Sequence, residues 1–300
     1  MNLNLRSFFV VSSALVLISF FSCKENSTGS QGTNITTNVS AVNHTSTDLS
    51  LIPAQWIDSA KSKFKIAYGH TSHGSQIVTG MEALVVVHGD KYSFNSNGSH
   101  GALTLKDTPF SGASDLGNPD FTAWAAATRT YLDSHTDINV VMWSWCGQVS
   151  STDSSDIVTY LELMSSLETE YPSVHFVYMT GHLDGTGNDG NLNKRNQQIR
   201  NFCSANKKVL FDFADIESYC PDGTTNYMTL MANDNCDYET DSTSGNWAQE
   251  WIAQNSSSEL AQEAAAVCSG CCAHSQGLNC ARKARAFWWM LTCLAGWTGS

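Results

Sequence analysis

The sequence is short of positive charge. Its 300 residues carry 16 Lys and Arg against 28 Asp and Glu, a formal net charge of −12. That excludes sequence-independent binding to nucleic acid, which needs a basic face. Charge of either sign is scarce, at 15% of residues against 42% hydrophobic, so most of the chain is too apolar to stay disordered. There is no internal repeat and no His-Glu-x-x-His. Nowhere does an apolar run reach the ~20 residues that span a bilayer. What the chain has in quantity is aromatic and sulfur-bearing side chains: nine Trp, 13 Phe and 10 Cys. It is long enough for one sizeable core and too short to demand two. Its cysteines are too dilute for a small disulfide scaffold and too many to ignore.

Residues 1–22 hold one charge, Arg6, then an apolar run from Phe8 to Phe21, and end on Ser22 ahead of Cys23. The run is short for a membrane span and fits a secretory signal. Cys23 directly after a small residue resembles a bacterial lipoprotein signal, in which Cys23 becomes the lipidated first residue, although Phe20 stands where such signals usually carry Leu. Residues 23–50, rich in Ser, Thr, Asn and Gly, read as a flexible tether with His44 solvated. Residues 51–300 are expected to form a single domain. The protein is expected at the bacterial cell envelope, lipid-anchored or secreted, touching membrane through its anchor alone. Removing Cys23 from the 10 cysteines leaves an odd set in an oxidising compartment, so disulfides are expected together with at least one unpaired thiol.

Apolar runs at 63–68, 139–145, 174–180 and 209–213 predict strands. Helical spacing predicts helices over 72–87, 121–134, 156–171, 192–203 and 280–294. Segments 88–120 and 222–270 read as long excursions. Strands alternating with helices predict an α/β fold, a parallel sheet covered on both faces. Ligands of such sheets bind beyond the carboxyl ends of the strands, which directs attention to four strand-end segments. Gly69-His70-Thr71-Ser72-His73 puts a serine at a helix N-terminus, where backbone N–H groups favour an oxyanion. Trp145-Cys146-Gly147-Gln148 offers Gly147 and Gln148 as donors to developing negative charge. Cys146 has the spacing of a nucleophile, but its Trp neighbourhood is expected to raise the thiol pKa. His182 and Asp184 follow the third run. His274 precedes the last helix, placed to serve as general base to Ser72.

A nucleophile after strand one, donors after the middle strands and a histidine before the final helix resemble the SGNH/GDSL hydrolases over roughly residues 60–295. The resemblance implies a three-layer, flavodoxin-like fold and a serine esterase, acting on a small-molecule or carbohydrate ester without a cofactor. Ser72 would be the nucleophile, with Thr71 its rival, and His274 the base. Gly147, Gln148 and the Ser72 N–H would form the oxyanion site. His70, His73, His182, Asp184 and Trp145 would bind substrate. The family's Asp three residues before the histidine is replaced by Cys271, leaving Asp212, Asp215 or Glu217 as substitute orienters.

Two readings of other classes stand beside it. His70, His73, His182, Asp184 and His274 could together ligate zinc with an open position, making a metal-dependent hydrolase. Alternatively Trp143, Trp145, Trp247 and Trp251 could form a sugar-stacking platform on an inactive scaffold, making a carbohydrate- or partner-binding lipoprotein. The distance from His274 to Ser72 discriminates among them.

Overall fold

The computed structural model describes Met1 and residues 41–299. The expected signal segment beyond Met1, Cys23 and the tether up to residue 40 lie outside the described residues. Among the described residues, seven strands form one parallel sheet: β1 (Ala41–Val42), β2 (Lys65–Gly69), β3 (Phe94–Asn95), β4 (Leu103–Asp107), β5 (Val140–Trp143), β6 (His175–Met179) and β7 (Val209–Phe211). Their spatial order is β3-β4-β2-β5-β6-β7-β1. The five central strands therefore follow the flavodoxin-like 2-1-3-4-5 pattern, whose switch point lies between β2 and β5.

Alternation along each strand sends neighbours to opposite faces. Ile66, Tyr68, Val140, Met142, Val177, Met179 and Phe211 pack in one core with α1 (Ala54–Lys63), α2 (Ser72–His88), α6 (Phe213–Ser218) and α9 (Gly277–Ala295). Ala67, Val141, Trp143, Phe176, Tyr178 and Leu210 pack in another with α3 (Ala123–Ser134), α4 (Ser154–Glu170) and α5 (Asn191–Asn206). Burial on both faces is why these strands read as unbroken apolar runs. The result is three layers.

Three segments differ from expectation. Residues 88–120 contain β3 and β4, which complete one edge of the sheet by pairing β4 with β2; the polar residues around Leu103 and Leu105 hide the strand. Residues 41–50, expected as the end of the tether, belong to the fold. β1 pairs with β7, Val42 is fully buried, and His44, expected in solvent, bonds Asp215 at 2.5 Å and stacks on Tyr219 at 3.7 Å. Residues 222–270 hold an antiparallel hairpin of β8 (Asp237–Glu239) and β9 (Ser244–Asn246), then α7 (Trp247–Gln254) and α8 (Glu259–Ala266), over a small third core around Trp247. No helix among the described residues is long and apolar enough to cross a membrane.

Helix α9 lies against α2, and the contact is close because Gly80 has no side chain: a Cβ there would fall 1.9 Å from the Cys280 carbonyl oxygen. Beside this contact the fully buried Lys283 ammonium donates to Glu217 on α6 and to Gln76 on α2, and sits 3.7 Å over the Phe213 ring. Glu217 also accepts the Leu183 N–H at 2.8 Å, and the Gln76 amide donates to the Ala273 carbonyl at 2.6 Å. Burial pulls Lys283 below its ordinary pKa while Glu217 pushes it back up. One ammonium thus ties three helices to the two loops that carry His182 and His274.

Lys283→Met leaves Glu217 buried and uncompensated, so unfolding in urea should show a loss of about 3–5 kcal/mol, with part of it recovered by adding Glu217→Leu. A loss under about 1 kcal/mol would show that the pair does not hold this region together.

Candidate active site

The switch point concentrates the polar chemistry. Gly69 at the end of β2 pairs with Trp143 at the end of β5. Three residues beyond each lie Ser72 and Cys146, with Oγ and Sγ 3.6 Å apart. His182 comes three residues after Met179, where the neighbouring strand β6 ends. The first turn of α2 adds His73, the hairpin excursion adds Asp234, and the loop before α9 adds His274.

His73 is the centre of the group. Its Nδ1 lies 3.3 Å from Cys146 Sγ and its Nε2 2.9 Å from Asp234 Oδ2. Asp234 accepts from Nε2, and with Cys146 ionised Nδ1 donates as well, giving an imidazolium between a thiolate and a carboxylate. The charge preferences agree. The hydrogen bond from His73 brings the Cys146 thiol down to about 6, against desolvation, with Thr71 and Ser72 assisting. Burial alone would lower His73, but its bonds to Asp234 and Cys146 outweigh that and raise it to about 9. Asp234 is held below its usual range by His73 despite its burial. The sequence-based expectation of a raised Cys146 pKa is therefore corrected: the tryptophans beside it in sequence point into the core, and its spatial neighbours are His73 and Ser72.

Two more imidazoles flank this one. His182 stacks on His73 at 3.7 Å and His274 at 4.5 Å. His182 Nδ1 donates to the Leu183 carbonyl at 2.7 Å, and burial holds the ring below its ordinary pKa. A neutral ring against the His73 cation avoids placing two positive charges face to face. His274 Nε2 lies 3.0 Å from Ser72 Oγ, the contact expected from sequence. Among the described residues no carboxylate orients it: Asp212 pairs with Arg200, Asp215 with His44 and Glu217 with Lys283. The loop is fixed instead by the Cys272–Cys280 disulfide, the Gln76 bond to Ala273, and Ser275 donating to the Asp234 carbonyl at 2.6 Å. The other disulfide is Cys268–Cys271, while Cys146, Cys203, Cys220, Cys236 and Cys293 are free.

The remaining expected site residues divide. Gly147 is exposed, next to Cys146, and its N–H is engaged by no group among the described residues. Gln148 is no oxyanion donor: its Nε2 donates to Asp115 at 3.0 Å and its Oε1 accepts from the Cys146 N–H at 2.9 Å. Thr71 is no nucleophile, because its hydroxyl donates to buried Asp115 at 2.8 Å. With the N-cap side chain turned away, no side chain caps α2, and an uncapped helix start is a setting that favours anions. Gly74 lets that turn sit low on the sheet; a Cβ there would fall 2.2 Å from Ser144 Oγ and 2.4 Å from His70 Cβ. His70 turns out of the cluster to Asp107 at 2.6 Å and lines a neighbouring cleft of about 300 Å³ with Thr71, Thr108, Phe110, Ser114 and Trp143. Asp184 is spent on its own turn, accepting from Thr186. Trp145 is buried, its indole donating to the Met179 carbonyl. Trp143 and Trp247 are buried as well, so the expected sugar platform does not form.

The zinc set is also corrected. His73, His182 and Asp234, rather than the five expected residues, bring ligand atoms within 4.8 Å of one another. The nitrogens concerned are Nε2 of His73, donating to Asp234, and Nδ1 of His182, donating to a carbonyl. A metal held by this set would have to displace both of those hydrogen bonds.

Sequence reasoning reached Ser72, His73, His182 and His274, weighed Cys146, and missed Asp234. Nothing in Asn233-Asp234-Asn235 separates it from an ordinary turn; only the excursion's return to the sheet edge does. No protein-family model matches this chain, and no curated protein matches it.

Alkylation of Cys146 by iodoacetamide should follow thiolate formation with a midpoint at pH about 6. In His73→Gln, which removes the cation, the midpoint should move up toward the ~8.5 of an ordinary thiol. An unmoved midpoint would take His73 out of the pair.

Proposed function

We propose that this protein is an ester hydrolase that works through a covalent acyl-enzyme, with the Cys146 thiolate as nucleophile. The observation that carries this reading is the unbroken Cys146–His73–Asp234 chain at 3.3 and 2.9 Å, a nucleophilic thiolate paired with an imidazolium that a carboxylate holds in place. Sγ attacks the ester carbonyl, a C–S bond forms, and the oxyanion meets the Gly147 N–H and the first-turn amides of α2. The C–O bond then breaks and the alcohol departs. Water later cleaves the thioester and restores the thiolate. Asp234 and Cys146 together keep the His73 ring charged and fixed. The cleft beside Thr71, with half-buried Phe110 stacked on Trp143 at 4.3 Å and hydroxyls from Thr108 and Ser114, supports a substrate bearing a sugar-like ring. In this proposal the enzyme stands at the bacterial envelope on a lipid attached to Cys23.

A second reading makes Ser72 the nucleophile with His274 as its base, and the 3.0 Å contact favours it. It is the weaker one, because His274 is exposed and has no orienting carboxylate, whereas the thiolate arm is complete.

Turnover of p-nitrophenyl acetate should fall roughly 1,000-fold or more in Cys146→Ala, and by less in Ser72→Ala; the reverse order moves the nucleophile to Ser72. The rate in the wild type should rise with pH through about 6, as the thiolate forms, and fall through about 9, as His73 loses its proton. Chelator should leave the rate intact; loss of activity restored by zinc would favour a metal instead.

A further inference from the structure

Thiolate attack leaves one arm of the site unused. His274 Nε2 lies 3.0 Å from Ser72 Oγ, and Ser72 Oγ lies 3.6 Å from Cys146 Sγ, on the sulfur approached from elsewhere by His73 at 3.3 Å. Donors and acceptors then match along the whole chain. His274 N–H donates to Ser72 Oγ, Ser72 O–H donates to the sulfur, and His73 donates to the sulfur and to Asp234.

The two histidines are differently placed for giving up a proton. His73 is buried, backed by a carboxylate and held between two rings. Such an imidazolium parts with its proton reluctantly. His274 is exposed, has no carboxylate behind it, and its Nδ1 meets no group among the described residues. It can exchange protons with solvent at Nδ1 while working at Nε2. Its backbone sits at φ 60°, a left-handed conformation that disfavours a side chain with a Cβ. The disulfide and the Gln76 and Ser275 bonds hold the loop there.

The chemistry after attack calls for such an arm. An alkoxide is a far stronger base than a thiolate, so the tetrahedral adduct of an ordinary ester expels sulfur again unless the leaving oxygen is protonated as it departs. A thiol leaving group, with a pKa near ~8.5, has no such need.

We propose that His274, acting through Ser72, protonates the departing oxygen, and that the substrate is accordingly an oxygen ester of an unactivated alcohol rather than a thioester. This rests on the thiolate reading above. As the C–O bond breaks, its electron pair goes to oxygen. The Ser72 hydroxyl proton moves to that oxygen, the His274 Nε2 proton moves to Ser72 Oγ, and solvent supplies a proton at His274 Nδ1. In the second half-reaction water splits the C–S bond to give the acid and the thiolate; the water's other proton passes through Ser72 to His274 Nε2, and the Nδ1 proton returns to solvent.

The test uses the full chain with ethyl acetate and p-nitrophenyl acetate, whose phenolate leaves without help. The variants are Ser72→Ala and His274→Asn, since Asn tolerates the left-handed backbone. In both, the ratio of kcat/KM on ethyl acetate to that on p-nitrophenyl acetate should fall about 100-fold. A ratio within roughly threefold of wild type, whatever the absolute rates, overturns the proposal, because a merely structural role lowers both substrates together. So does a wild-type enzyme that turns over S-ethyl thioacetate but not ethyl acetate. Turnover of p-nitrophenyl acetate undiminished in Cys146→Ala would instead sink the thiolate reading on which the proposal stands.

Discussion

The site depends on a buried ammonium. Lys283 is fully buried, and both of its hydrogen bonds lead on to a loop that carries site chemistry. Through Glu217 it holds Leu183, and so the His182 ring against His73. Through Gln76 it holds Ala273, and so His274 against Ser72. A buried ion pair contributes little net stability, because desolvation consumes most of the Coulomb attraction. Its value here is geometric: a charge that must be satisfied admits one arrangement of α2, α6 and α9, and that arrangement sets three imidazoles in a stack.

Within that frame, ionisation follows from what each ring nitrogen faces. A histidine between a thiol and a carboxylate has acceptors at both ends, and the low-energy state puts both protons on the ring and the charge on the sulfur. Desolvation alone would drive Cys146 and His73 toward neutrality. The paired charges and the uncapped first turn of α2 oppose it. Asp115 completes the support from the other side, joining Thr71, the Gly117 N–H and Gln148, and through Gln148 the Cys146 amide. Thr71 and Gln148 thus act as positioning residues for the turn that presents the sulfur.

The layered fold was readable because both faces of the sheet are covered: Lys65–Gly69, Val140–Trp143 and His175–Met179 stand out as apolar runs ending in glycine or a polar turn. The missed elements share a physical cause. β1 is a two-residue edge strand and β4 lies just inside the two-residue edge strand β3, both in segments whose pattern is drowned by Ser, Thr and Asn, and α7 and α8 are single short helices on a satellite core. At the site, residues fixed by local geometry were legible: Ser72 and His73 at a helix start, His182 beyond a strand. Roles fixed by distant partners were not. Gln148 reads as a donor until Asp115 is placed opposite it, and Trp145 reads as a platform until the Met179 carbonyl claims its indole. Cys146 reads as apolar until His73 arrives from the first turn of α2. Asp234 carries no local mark at all.

The central claim is that sulfur, not the serine hydroxyl, takes the acyl group. The most direct measurement is peptide mapping by mass spectrometry of enzyme quenched in acid during turnover of p-nitrophenyl acetate. The expected result is an acetyl group on the peptide containing Cys146, removable by hydroxylamine. An acetyl group on the peptide containing Ser72, with Cys146 unmodified, would contradict it.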